Sequence, residues 1–154
     1  HFGMLALDSM RLEKNYRSWK SDLTSDYSML QSGLDRWVNF KKERFIGKDA
    51  LLRESKIGVT KKFVTLVVED PEDSEPFGEP VYLSPVFAGD NYLGPVVSSG
   101  YGHRVKKSIS MAILDDRNLN GLNDQIHINV LGRKRKAHII KEALYDPENN
   151  RLRS

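Results

Sequence analysis

The sequence of 154 residues contains no cysteine. This absence excludes a disulfide framework and a thiolate metal site, and it is typical of proteins from a reducing compartment. No apolar run approaches the roughly 18 to 20 residues of a membrane-spanning helix, and the start shows no secretory signal pattern. The sequence therefore predicts no membrane partner.

The excess of positive over negative charge is also small, because 24 Lys and Arg against 21 Asp and Glu leave a net charge of +3. This excess is too small to indicate nucleic-acid binding by itself. The densest basic run, at residues 133–136, follows Gly132 and is interpreted as a solvated hairpin tip. A contact with phosphate or polyglutamate is the alternative.

Motifs for common cofactors are missing as well. There is no GxGxxG or P-loop pattern, so this chain binds neither FAD nor ATP by those means. His127 and His138 lie on predicted strands without an HxH or HxxxH spacing, and no zinc or other metal site is predicted.

What is present suffices for a core, because 39% of the residues are apolar and 29% are charged. A first helix is predicted over residues 5–19, with Asp8 or Ser9 as a capping residue and good helix formers behind it. The alternative is a start near Gly3, with apolar residues along one stripe at helical spacing.

The remaining elements change in character near Gly58. Before it we predict a strand at residues 34–40 and a helix from residue 48 to about 55, ended by Gly58. After it, short strands are predicted at residues 63–68, 81–83, 92–98, 108–114, 126–131 and 137–141. An acidic loop at 70–78 and turns at 89–90, 100–102, 118–124 and 132 separate them. The fold class is α+β, ending in a small antiparallel β-barrel or jelly-roll-like domain.

Five motifs, in order along nearly the whole chain, resemble those of one family. They are D-S-M-R-L-E-K-N-Y-R-S-W (8–19), S-G-L-D-R-W-V (32–38), R-F-I-G-K-D-A-L-L (44–52), V-S-S-G-Y-G-H-R-V-K-K-S-I (97–109) and A-L-Y-D-P (143–147). The chain resembles the folate-dependent aminomethyltransferase superfamily, which includes the glycine-cleavage T-protein and the folate domains of dimethylglycine and sarcosine dehydrogenases.

This resemblance implies two parts, the end of a folate-binding domain at 1–57 and a C-terminal β-barrel domain at 58–154. It implies a C-terminal fragment, with the catalytic aspartate and most of the pterin pocket upstream of His1. Any FAD domain would lie further upstream. The implied partners are tetrahydrofolate and a methylated amine, the implied location is the cytoplasm or the mitochondrial matrix of a eukaryote, and assembly into a homo-oligomer is left open.

The resemblance also implies folate-binding residues within this chain. Arg36 stands where the dimethylglycine dehydrogenases have a folate-contacting tyrosine, and the adjacent Trp37 is either a pocket wall or a core aromatic. Arg11 is a further candidate, although from its residue type alone it is a surface charge or part of a structural ion pair. Tyr101 and His103 complete the set, with a merely structural or exposed histidine as the alternative.

One departure distinguishes the branches of the family. Leu7 replaces an arginine that holds folate in the T-protein branch, which favours the dimethylglycine or sarcosine dehydrogenase branch. The implied function is capture of a one-carbon unit as 5,10-methylenetetrahydrofolate. Alternatives are a T-protein-like aminomethyltransferase or folate-dependent demethylase, and, in another class, a non-catalytic module that contacts RNA through residues 133–136.

Overall fold

A computed structural model describes residues 1–70, 78–119 and 125–154 of the chain. Its helices are α1 (Met4–Glu13), α2 (Lys48–Ile57) and the short α3 (Asn150–Arg153). Its strands are β1 (Lys61–Val68), β2 (Pro85–Ala88), β3 (Asn91–Gly102), β4 (Lys107–Asp115), β5 (Ile126–Val130) and β6 (Arg133–Ile140). None of the described helices is long and apolar enough to span a membrane.

The six strands form a closed antiparallel barrel in the order β1-β4-β3-β2-β5-β6. Closure occurs where β1, already paired with β4, also pairs with β6, so that Val68 faces Ala137. The α+β class with a small antiparallel barrel, predicted from the sequence, is confirmed.

The barrel interior is mostly apolar, although Ser108 and Ser110 of β4 and Arg135 of β6 are also buried and pair directly with inward-facing residues. Its buried apolar residues are Val64, Leu66, Val68, Val86, Ala88, Leu93, Val96, Ala112, Leu114, Ile126, Ile128, Val130 and Ala137. They recur at every second position of most strands, as the alternation of side chains across a sheet requires. Burial of this much β-branched and apolar surface is the main stabilisation of the barrel.

Helix α1 and the residues that follow it pack on the outside of the barrel and give β1 and β4 a second buried face. Leu12 of α1 joins an outer apolar cluster with Phe63, Val97, Ile109, Met111 and Ile113. Because both faces of these strands are covered, β4 is buried at seven consecutive positions. This double burial explains the consecutive apolar residues at 66–68 in β1 and at 111–114 in β4.

One glycine permits a close approach within the barrel. At Gly94 of β3, with φ of 154°, an added Cβ would overlap the carbonyl oxygen of Ile113 in β4. The two backbones can therefore pass at this spacing only where one residue lacks a side chain.

The first helix is shorter than predicted and starts earlier. It begins after Gly3, as the alternative proposed, and ends at Glu13 rather than near residue 19. Asp8 and Ser9 do not cap it, because they lie inside the helix, where Asp8 accepts from Arg11 and Ser9 donates to the Tyr101 carbonyl. Asn15 ends the helical path with a φ of 57°.

Four further predictions were wrong. Residues 34–40 form a short 3-10 turn, Asp35–Trp37, instead of a strand, and residues 81–83 form a turn before β2. Residues 100–102 are the end of β3. The basic run at 133–136 is the first half of β6, not a hairpin tip. The predicted acidic loop at 70–78 and turn at 118–124 lie largely outside the described residues.

Helix α2 and its end agree with the sequence. It begins at Lys48, after Gly47, and the amide of Gly58 closes its last turn by donating to the Glu54 carbonyl (2.9 Å). The φ of 94° at Gly58 is one that glycine adopts without strain. The proposed division at residues 57 and 58 stays a prediction.

Candidate functional site

Arg11 lies at the centre of a network between α1 and the barrel. Its guanidinium donates to Asp8 Oδ1 (2.8 Å), Asp22 Oδ2 (2.8 Å) and Ser98 Oγ (3.0 Å). Asp22 is completely buried and also accepts from the Ser18 amide at 2.6 Å and from the Ser98 hydroxyl. Arg11 is thus engaged in an ion-pair network, which is the structural alternative that its residue type suggested.

Glu13 has a comparable structural role two residues later in α1. Its buried carboxylate accepts from the backbone amides of Arg104 (2.7 Å) and Val105 (3.3 Å), which lie in the connection between β3 and β4. Its carbonyl accepts from the Tyr145 amide at 3.0 Å. Glu13 therefore joins α1 both to the barrel and to the chain that follows it.

Tyr101 and His103 lie together beside the middle of α1. Their rings meet edge to face with centroids 5.2 Å apart. Ser9 Oγ donates to the Tyr101 carbonyl at 2.8 Å, and the His103 amide approaches the same hydroxyl at 3.4 Å. Neither ring lines the large cavity described next, so the structure separates these two candidates from Arg36.

Arg36 lines a cavity of about 430 Å³ between three segments. These segments are the end of α1 with the residues after it (14–17), the turn around residues 33–36, and residues 141–149. The Arg36 guanidinium also lies 5.0 Å from the ring of Trp37. Trp37 itself is 69% exposed and does not line the cavity, so the interpretation of Trp37 as a core aromatic was wrong.

Arg17 is the second arginine of this cavity. Its guanidinium lies 4.4 Å from the ring centroid of Phe63, and its Nε is buried with no hydrogen-bond partner among the described residues. Burial, and then the nearby charge of Arg36, lower the pKa of Arg17, while Asp22 and Asp35 act in the opposite direction.

Gly33 provides the space that Arg17 occupies. An added Cβ at this position would lie 2.9 Å from Arg17 Nη2, and the φ of 63° independently favours glycine. Gly33 therefore leaves room for the Arg17 guanidinium beside the turn that carries Arg36, and both arginines line the cavity.

Lys14 forms one wall and is already paired. Its Nζ donates to the Asp146 carbonyl (2.6 Å), Asn149 Oδ1 (2.6 Å) and Asp146 Oδ2 (3.3 Å). Burial raises the pKa of Asp146, but hydrogen bonds from the Arg151 amide and Lys14 outweigh it, and the net pKa is lowered. Within the described ranges neither Arg17 nor Arg36 forms an ion pair, and the cavity is also lined by Lys141, Glu142 and Glu148.

The sequence reasoning missed Lys14, Arg17 and the segment 141–149 as parts of a site. A signal existed, because E-K-N-Y-R and A-L-Y-D-P are both among the motifs of the family resemblance. The two motifs lie at opposite ends of the chain, and only the fold brings them together. No cluster of three or more His, Asp or Glu suited to a metal occurs in the part of the chain that the structure describes.

A closed six-stranded barrel with a helix docked on its outside and a basic cavity at that helix's end defines a recognisable class of module. The family model described as the glycine cleavage T-protein C-terminal barrel domain matches residues 61–146, more than half of the chain. The chain belongs to this family.

Relatives extend the similarity to residues before the barrel. The chain is 31% identical to the mitochondrial dimethylglycine dehydrogenase of Mus musculus over 99% of its own length, which is 17% of that protein. It is 30% identical to the aminomethyltransferase of Thermoanaerobacter pseudethanolicus over 93% of its length, which is 37% of that protein. The chain thus spans well under half of the relatives it matches.

A solved structure shares the fold. The aminomethyltransferase T of the glycine cleavage system from Bartonella henselae superposes with a TM-score of 0.77 and 20% sequence identity. The similarity covers 92% of this chain and 38% of the other. It therefore includes most of the helical part before the barrel.

Proposed function

We propose that the chain is the C-terminal part of a tetrahydrofolate-dependent one-carbon-transfer domain, in a parent like the dimethylglycine or sarcosine dehydrogenases. The family match and the similarity to dimethylglycine dehydrogenase over 99% of the chain support this assignment. In this proposal the catalytic groups belong to other parts of the parent. The chain supplies positive charge that binds and orients folate.

The observation that carries the proposal is that Arg17 and Arg36 line one cavity and neither forms an ion pair within the described residues, although Glu142 and Glu148 also line it. Two guanidinium groups that repel each other are stabilised by an anion between them, and an arginine fork matches a carboxylate with two parallel hydrogen bonds. Folate carries its carboxylates on the glutamate end. The orphaned Nε of Arg17 fits such a ligand, because it is a buried donor lacking an acceptor.

When bound, tetrahydrofolate is the acceptor of the one-carbon unit. The residues of this chain hold its glutamate end and so fix the position of the pterin end, where a general acid or base of the parent serves the transfer. Trp37, which lies beside Arg36 and outside the cavity, is proposed to contact the aminobenzoyl ring where the ligand leaves the cavity. Arg11, Tyr101 and His103 remain predicted folate contacts, and the network around Arg11 favours a supporting role for it.

The test is anaerobic calorimetric titration of the chain with tetrahydrofolate and with tetrahydropteroate, which lacks the glutamate. We expect tetrahydrofolate to bind at least about ten-fold more tightly, since a charge-assisted pair contributes about 1.5–3 kcal/mol. Arg17→Gln and Arg36→Gln should abolish this preference. Arg53→Gln, at an exposed position on α2, is the matched control and should retain it.

Two results would contradict the proposed binding of the glutamate in the cavity. One is equal affinity of the unaltered chain for the two ligands, and the other is equal effects of Arg36→Gln and Arg53→Gln. The family assignment does not depend on that result.

A second candidate is a T-protein-like aminomethyltransferase or a folate-dependent demethylase without a flavin domain. It is favoured by the 30% identity to a bacterial aminomethyltransferase over 93% of the chain. The coding sequence upstream of His1 distinguishes the two candidates, because only the first requires a flavin-binding domain there.

A further inference from the structure

The outer face of β3, β2, β5 and β6 carries a row of side chains that do not line the cavity around Arg17 and Arg36. The strand register places Tyr92 opposite Phe87, Phe87 opposite His127, and His127 opposite Lys136. Directly paired residues project from the same side of a sheet. Three aromatic rings and a lysine therefore form one line across four neighbouring strands.

The rings of this row are in contact. Phe87 and His127 are stacked, with centroids 5.5 Å apart and planes 12° from parallel. Tyr92 meets Phe87 edge to face at 5.7 Å and is 56% exposed. An ordered aromatic row on the surface of a barrel is a stacking platform of the kind that binds bases.

A depression of about 170 Å³ adjoins the stacked pair and is lined by Phe87, His127, Asp90, Asn129 and Lys134. This volume is below that of a pocket for a drug-sized ligand and suits one planar group of a larger molecule. Asn129 Oδ1 is buried and accepts no hydrogen bond from any described residue. The depression thus offers an unused acceptor, a carboxylate and a cation beside two rings.

We propose that this face binds single-stranded nucleic acid, with a base that carries an exocyclic amino group in the depression. The amino group donates to Asn129 Oδ1 or Asp90, as the N4 of cytosine can. Lys134 and Lys136 bind backbone phosphates, and both are exposed and form no ion pair within the described residues. The site is separate from the folate proposal and does not rest on it.

The same chemistry disfavours an acidic peptide as the occupant. A carboxylate side chain has no proton to donate to Asn129 Oδ1 at neutral pH, and Asp90 repels it. A base satisfies the acceptors and stacks on the rings, while the phosphates lie at the lysines.

The experiment is fluorescence anisotropy of the full chain with labelled deca-cytidylate and deca-uridylate at about 50 mM salt. The two strands differ in a donor or an acceptor at base position 4, so we expect cytidylate to bind about ten-fold more tightly. Asn129→Ala should bring this ratio close to one. Because the ratio is internal to one protein sample, a general loss of stability does not imitate the effect.

Lys134→Ala with Lys136→Ala should weaken binding about ten-fold and reduce the slope of log K against log salt by about 1.4, from two phosphate contacts at about 0.7 each. The matched control is Lys41→Ala with Lys42→Ala, two exposed lysines before α2, and it should leave affinity and slope unchanged.

The proposal would be overturned by no binding at about 50 mM salt, by equal loss in the control pair, or by tighter binding of deca-glutamate than of deca-cytidylate. Cytidine monophosphate is expected to bind at least about ten-fold more weakly than the strand. Equal affinity for the monophosphate and the oligonucleotide would indicate a site for a free nucleotide and would contradict binding of single-stranded nucleic acid.

Discussion

The barrel and the segment before it differ in what they bury. Most of the buried residues described from residue 58 onward are apolar, and the buried polar ones there are a few serines, Thr65 and Arg135. Among residues 1–57, all of which the structure describes, only Leu12, Glu13, Asp22 and Ser32 are buried. Three of these four are polar, and two are carboxylates with hydrogen-bonded partners. The barrel is therefore stabilised by apolar burial, whereas the segment is attached by charge and hydrogen bonds.

This difference between the barrel and residues 1–57 indicates which interactions fix the geometry of the candidate site. Apolar burial is non-directional and tolerates rearrangement, while a buried carboxylate is stable only with its particular partners. The position of α1, and with it the cavity that Lys14 and Arg17 line, depends on the exact partners of Arg11 and Glu13. The barrel provides stability, and the polar network provides the placement of the candidate site.

The largest effect is expected for a substitution that disrupts the barrel. Gly94→Ala should lower the free energy of unfolding by at least about 4 kcal/mol, because its Cβ overlaps the Ile113 carbonyl oxygen and the strands cannot keep their spacing. Urea unfolding of the chain measures this loss. Gly47→Ala is the control, since Gly47 also has a positive φ but no atom near its Cβ position. Equal losses would show that conformational strain, not the close approach, is what matters.

Next in size is Arg11→Ala, which should release the segment and leave the barrel folded. It leaves the fully buried Asp22 without its cation, a change that costs about 3–5 kcal/mol. Native-state hydrogen exchange should show the loss at the amides of Tyr16 and Asp22 but not at barrel amides such as Val67.

Two companions sharpen the Arg11 experiment. Asp22→Asn combined with Arg11→Met should recover part of the loss, because the uncompensated buried charge is gone. Arg53→Ala on α2 should change neither region. Equal deprotection of barrel amides in Arg11→Ala would contradict the separation of the two regions.

A smaller effect concerns acid sensitivity at the junction of the two regions. The pKa of Asp146 is lowered in the folded chain, so its contribution to stability is present above the ordinary Asp pKa of about 3.9 and is lost as the pH falls through the lower folded value. A carbon-detected NMR titration should place this carboxyl below about 3.9. Lys14→Met should return it toward that value, and Lys56→Met, an exposed lysine of α2, should not.

The smallest effect is expected at Trp37. Trp37→Ala should change the free energy of unfolding by less than about 0.5 kcal/mol, because the side chain is 69% exposed and its contact is with Arg36. Chemical denaturation is the measurement. A loss of several kcal/mol, as for Leu66→Ala in the barrel interior, where about 2–5 is expected, would mean that the segment has an apolar core after all.

Sequence reasoning predicted the barrel better than the segment, for a physical reason. Strands such as β1 and β5 can be predicted from β-branched residues and from the alternation of apolar and polar residues, which are local properties of a few neighbouring positions. Residues 34–40 carry similar residue types but lack a sheet to join, and they form a 3-10 turn instead. Local pattern predicts a strand only where tertiary pairing supplies the partners.

The candidate site was only partly predictable. Arg36 emerged from the family resemblance, but its neighbour Arg17 and the wall formed by residues 141–149 did not. Their proximity depends on Lys14 reaching Asp146 across the whole length of the barrel sequence. No local spacing encodes such a contact. Likewise, Arg135 in the basic run is buried and donates to the Glu69 carbonyl, which charge patterning alone could not indicate.

Closure of the barrel also sets the order in which the chain is able to fold. The hairpin of β3 and β4 joins residues close in sequence, and it can form early because little loop entropy opposes it. Strand β1 instead pairs along one edge with residues 137–140, which lie at the far end of the barrel sequence. During synthesis one edge of β1 thus stays open until β6 has been made, and we expect this non-local pairing to slow folding. Lys14 contacts residues 146 and 149, which follow β6, so the basic cavity can be completed only after β6 has been synthesised.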